Sequence, residues 1–69
     1  MNYLLVAYAP NADGKMTEIL PGLAATRPQA IAAAESLRKE GLAHGNIKVS
    51  HVVVYRKVPA GYVQDITIA

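Results

Sequence analysis

The sequence predicts one α+β domain over residues 1–69: a four-stranded antiparallel sheet with a single helix on one face, in the order ββαββ. Three observations carry this reading. Residues 3–9 are apolar without interruption, as in a strand covered on both sides. Residues 26–41 hold both a helix start and a helix stop signal. The C-terminal third is rich in β-branched residues and is broken once, at Pro59-Ala60-Gly61.

The first strand presents Leu4, Val6 and Tyr8 on one face and Tyr3, Leu5 and Ala7 on the other. Pro10 ends it. Asn11-Ala12-Asp13-Gly14 supplies turn chemistry, with Gly14 free to take positive φ. Lys15 to Leu20 reads as a second strand that Pro21-Gly22 stops, and Lys15 and Glu18 suit a sheet edge.

The helix has the clearest local code. Thr26 and Gln29 fit a capping box, and Pro28 lies in the first turn, where N–H groups lack intrahelical partners. Ala30 to Glu40 is made of strong helix formers, with Glu35 and Lys39 in the favourable i,i+4 order. Gly41 stands at C′, so Leu37 and Leu42 become the pair that touch in a Schellman ending. The buried stripe is Ala30, Ile31, Ala34, Leu37 and Leu42, with Ala33 at its margin. So many alanines make a thin helix that lies close to a sheet and covers little of it.

After a turn at His44-Gly45-Asn46, Ile47 to Val58 reads as one long third strand. At about 3.3 Å per residue it would reach roughly 40 Å, about twice the span of the helix. It must therefore bend at a bulge near Ser50-His51 or project beyond the body. Pro59-Ala60-Gly61 makes a three-residue turn with Gly61 left-handed, and Tyr62 to Ile68 is the last strand. The simplest sheet has the order 2-1-3-4, which centres the two-faced apolar strand. One helix then covers one face and leaves the other to be covered by another chain.

Composition narrows the function classes. A chain of 69 residues supports one domain with a small core, and such scaffolds gain stability from disulfides, metals or oligomerisation. There is no cysteine, and the two histidines, His44 and His51, are too few for a metal site of their own. With 52% hydrophobic and 17% charged residues, self-association or partner binding is the expected compensation. No cofactor is expected. The net charge of +2 is ordinary. No apolar run approaches the ~20 residues of a membrane span, and the N-terminus lacks the basic region of a signal peptide. The expected location is cytoplasmic.

Candidate chemistry is sparse. His44 and His51 have no acidic residue at ligand spacing. Ser50-His51 is not expected to form a nucleophile–base pair, because adjacent strand residues point to opposite faces. Asn11-Ala12-Asp13-Gly14 lacks the later ligands of a calcium loop, and the glycines are not spaced to cradle phosphate. Lys48, Arg56 and Lys57 form a modest basic group on the third strand, and four tyrosines could stack on bases.

The stretch Thr26-Arg27-Pro28-Gln29-Ala30-Ile31-Ala32-Ala33-Ala34 resembles the T-x-x-[EQ]-A-x-x-A helix start of small strand–helix–strand proteins. Among these is a bacterial family that forms a domain of unknown function. The layout also resembles small phage anti-CRISPR inhibitors, with a short first strand, a capped helix, and a hairpin beginning near His44-Gly45-Asn46. That resemblance implies a non-enzymatic inhibitor that blocks a host protein by surface occlusion, and it assigns no individual functional residue.

The expectation is therefore a small non-enzymatic protein-binding module and homodimer. The resemblance extends this to a phage-encoded modulator of a host protein complex. Its partner or dimer interface is placed at Tyr3, Leu5, Val52, Val53, Tyr55 and Tyr62. The alternative is a nucleic-acid-binding accessory domain that uses Lys48, Arg56 and Lys57.

Overall fold

A computed structural model describes every residue from Met1 to Ala69. Its elements are β1 (Tyr3–Pro10), β2 (Met16–Ala24), α1 (Arg27–Glu40), β3 (His51–Val58) and β4 (Gly61–Ile68). The sheet order is β2-β1-β3-β4 with every pair antiparallel, as the element pattern predicts.

The β1–β2 turn is held by Asn11. Its Oδ1 accepts from Asp13 N at 2.9 Å and Lys15 N at 3.0 Å, and Gly14 takes φ 79°. β2 does not stop at Pro21-Gly22. It runs on to Ala24, with its register against β1 shifting between Leu5 and Ala7. The slip gives β2 an extra residue at the bulge, and the missing N–H of Pro21 is tolerated because β2 is an edge strand.

Thr26 is extended (φ −125°, ψ 158°), and its Oγ1 accepts from Gln29 N at 3.4 Å. This N-cap half of the capping box is worth about 1 kcal/mol. The helix ends at Gly41, whose N–H bonds Leu37 O at 2.8 Å. The expected Schellman ending does not form. At φ 81° and ψ −166° Gly41 leaves the helix extended, and Leu42 N–H goes to Ile47 O at 2.8 Å instead of a helix carbonyl. Ile47 N returns a bond to Leu42 O at 3.0 Å. This small bridge encloses a left-handed turn through Ala43 (φ 51°) and His44 (φ 57°).

That bridge also corrects the third strand. Ile47 spends its backbone bonds on Leu42, so β3 begins only at His51 and there is no over-long strand to bend. Ser50 N extends the β1–β3 ladder by one bond, to Tyr8 O at 2.7 Å. The β3–β4 turn is shorter than expected: Val58 pairs with Gly61 across Pro59-Ala60, and Gly61 has φ 139° rather than a left-handed helical value. The bulge expected near Ser50 lies instead in β4, where register shifts between Val54 and Tyr55 and leaves Asp65 as the extra residue. Asp65 accepts from Arg27 Nε at 3.0 Å, tying β4 to the start of the helix. The carboxylate holds the Arg27 guanidinium above its ordinary pKa.

The core lies between α1 and one sheet face. Leu5, Ala7, Val52 and Val54 meet Ala30 and Ala34, with Val49 and Ala24 closing the ends. The buried residues of the whole chain are all alanine or valine except Leu5. It is a thin core.

Candidate interaction face

Side-chain alternation divides the sheet into a face under the helix and an open face. The pairs Leu4↔Tyr55, Val6↔Val53 and Tyr8↔His51 hold the centre of the open face. No backbone element lies over them, yet Val6 and Val53 are only 5% and 7% exposed. Flanking side chains cover them. Tyr8 stacks on His51 with ring centroids 4.6 Å apart and planes 10° from parallel. From the far side of the valine pair, the Tyr55 side chain approaches the Tyr8 hydroxyl.

That contact has a chemical signature. Hydrogen bonding with Tyr55, then desolvation, then the negative charge of Glu18 raise the Tyr8 pKa above the ordinary 10.0. The fold thus keeps Tyr8 protonated beyond the pH at which an unfolded chain would release it. The resulting stabilisation is complete below pH 10.0 and is lost as pH rises through the raised folded value. In an alkaline absorbance titration one tyrosine should ionise late, and Tyr55→Phe should bring it back toward the ordinary value. An unchanged profile in Tyr55→Phe would contradict this pairing.

Three exposed apolar residues lie beside this centre, on β2. Met16, Leu20 and Leu23 are 51%, 68% and 53% exposed. Leu23 pairs with Leu4 and Met16 with Pro10, and the alternation from Met16 through Glu18 puts Leu20 in the same row. On the other side, β4 contributes Tyr62, Gln64 and Thr67, and Gln64 Nε2 donates to Thr67 Oγ1 at 3.0 Å. Glu18 and Lys57 are the charged groups of the face, placed toward opposite ends.

The six residues expected at an interface fall on two faces. Val53, Tyr55 and Tyr62 belong to the open face. Tyr3, Leu5 and Val52 pack under the helix, Leu5 and Val52 buried. The basic group does not converge either. Lys57 pairs with Tyr62 on the open face, and Arg56 lies opposite Tyr3 on the helix side. Lys48 lines a separate cleft of about 390 Å³ with Arg38 and Lys39 at the helix C-terminus.

The residues missed by sequence reasoning are Met16, Leu20 and Leu23. Their signal is the period-two pattern Met16, Glu18, Leu20, which a stop at Pro21-Gly22 cuts short.

The Ser50-His51 expectation is corrected as well: Ser50 Oγ and His51 Nδ1 lie 3.1 Å apart. Ser50 precedes the strand, so alternation does not separate the two side chains. Both ends of this contact are on the surface, and the other His51 contact is its stack on Tyr8. No family model, curated protein or solved structure matches the chain.

Proposed function

We propose that the chain is a small non-enzymatic protein-binding module that docks its partner on the open sheet face and acts by occluding the surface it covers. The observation that carries this reading is the exposed row Met16, Leu20 and Leu23 running beside the tyrosine-capped centre. Leu20 and Leu23 lie together beyond Glu18, and clustered exposed apolar side chains of this kind mark interaction sites. Tyrosines are favoured anchors at such sites, and Gln64, Thr67, Glu18 and Lys57 give the polar rim that interfaces carry. A face four strands wide and eight residues long measures roughly 19 by 26 Å in plan.

Charge favours a protein over nucleic acid. The face balances Glu18 against Lys57, whereas phosphate binding draws on convergent cations, and Lys48 and Arg56 point elsewhere.

The test compares capture by the parent, Leu20→Glu and Arg38→Glu from a lysate of the source cells. Leu20 is exposed, so the fold should survive its replacement. Leu20→Glu should weaken retention of one stoichiometric protein by about thirtyfold or more, the range of a hot-spot loss. Arg38→Glu should retain it. Equal retention by all three proteins would overturn the reading, and so would recovery of nucleic acid with steep salt dependence.

A further inference from the structure

The positive charge of this chain is concentrated in one place. Of its seven cations and five carboxylates, Arg38, Lys39, Lys48 and Glu40 line the cleft of about 390 Å³ at the end of α1. The other four cations, Lys15, Arg27, Arg56 and Lys57, are balanced by four carboxylates, Asp13, Glu18, Glu35 and Asp65. The net +2 of the chain therefore sits at this cleft. Its volume falls within the roughly 300–1,000 Å³ of small-molecule sites. Its lining is charged instead of apolar: Val49 is the one hydrophobic residue, and no aromatic ring is present.

The three cations come from two segments that the fold brings together. Arg38 and Lys39 lie in the last turn of α1, where cations complement the helix dipole. Lys48 has no part in the helix. It is returned to the helix end by the turn through Ala43, His44 and Gly45, all at positive φ, a conformation that is costly for the first two. The two backbones meet there, because a Cβ on Gly41 would stand 3.7 Å from Lys48 Cα. All three cations are exposed. The one ion pair of the chain is Arg27–Asp65, so neither Glu35 nor Glu40 pairs with any of them.

We propose that this cleft binds a compact oligophosphate, a ligand carrying two or more linked phosphate groups. This goes beyond the docking face and does not depend on it. Lysine ammonium groups serve phosphate as point charges, and the arginine fork adds paired N–H donors. An excess of one sign on a cleft also raises the local concentration of ions of the other. With no aromatic ring in its lining, the cleft gives a nucleobase nothing to stack on. Recognition then rests on the phosphates.

Amide chemical shifts of the parent, titrated with tripolyphosphate at constant ionic strength, test this. Saturable shifts should concentrate at residues 38–41 and 48–49. Lys48→Gln, at an exposed position, should keep the fold and weaken binding about tenfold, the loss of one charge-assisted contact. Glu40→Gln should tighten it by removing the carboxylate of the lining. Lys15→Gln, in the β1–β2 turn, and Leu20→Glu, on the open face, should leave it unchanged. ATP should bind no more tightly than tripolyphosphate. Equal weakening by Lys15→Gln and Lys48→Gln would overturn the proposal, because binding would then follow net charge alone. So would the absence of saturable shifts, or tighter binding of ATP or a single-stranded oligonucleotide than of tripolyphosphate.

Discussion

Gly41→Ala is expected to cost on the order of 3 kcal/mol or more, the largest effect of any single methyl added to this chain. Two independent penalties coincide. At φ 81° and ψ −166° the residue occupies a region that is essentially restricted to glycine. A Cβ there would also sit inside contact distance of the Ile47 carbonyl oxygen, which is fixed by its bond from Leu42 N. The backbone cannot yield without opening the Leu42–Ile47 bridge, and that bridge sets where the chain turns to bring Val49 into the core and begin β3. Small domains lie near the low end of the about 5–15 kcal/mol of native stability, so most of the margin would go. Urea denaturation checks it, with Gly22→Ala as control. A Cβ at Gly22 meets nothing within 4 Å, and the change there should stay within about 1 kcal/mol. Similar losses at both positions would contradict the role assigned to Gly41.

Ala34→Leu is the second large loss. Ala30 and Ala34 have no exposed surface and set the approach of α1 to Val52 and Val54. A leucine at Ala34 must push the helix away or distort the sheet, at about 1–3 kcal/mol. In a domain of this size that corresponds to a fall in Tm of about 10 °C. The adjacent Ala33 should behave oppositely. It borders an apolar groove of about 260 Å³ between the helix and β2, with Leu5, Gly22 and Leu37 around it. Ala33→Leu adds apolar burial there and should leave Tm unchanged or raise it. Equal losses from the two leucines would mean that the helix does not lie as close to the sheet as described.

The order of elements was legible because each signal was local. Thr26, Gly41 and the apolar run of residues 3–9 fix the helix and the central strand from their own chemistry. Two boundaries were not legible, each for a physical reason. Pro21-Gly22 is compatible with a turn and with a bulged edge strand, and only the pairing partner decides between them. Ile47 and Val49 alternate as a strand would, but a bond from Leu42, invisible in the pattern, removes Ile47 from β3. The alternation also separated Leu4, Val6 and Tyr8 from Tyr3, Leu5 and Ala7 correctly. It could not say which set the helix covers, because both are apolar. That is why the expected interface residues divide between the core and the open face.

Docking of a protein partner on the open face is tested most directly by site-specific photo-crosslinking in the source cells. A photoreactive residue in place of Leu20 should give a discrete adduct with one partner protein. The same residue in place of Glu35, on the outer side of α1, should give none. An adduct from Glu35 but not from Leu20 would contradict the claim, as would crosslinking of Leu20 to nucleic acid.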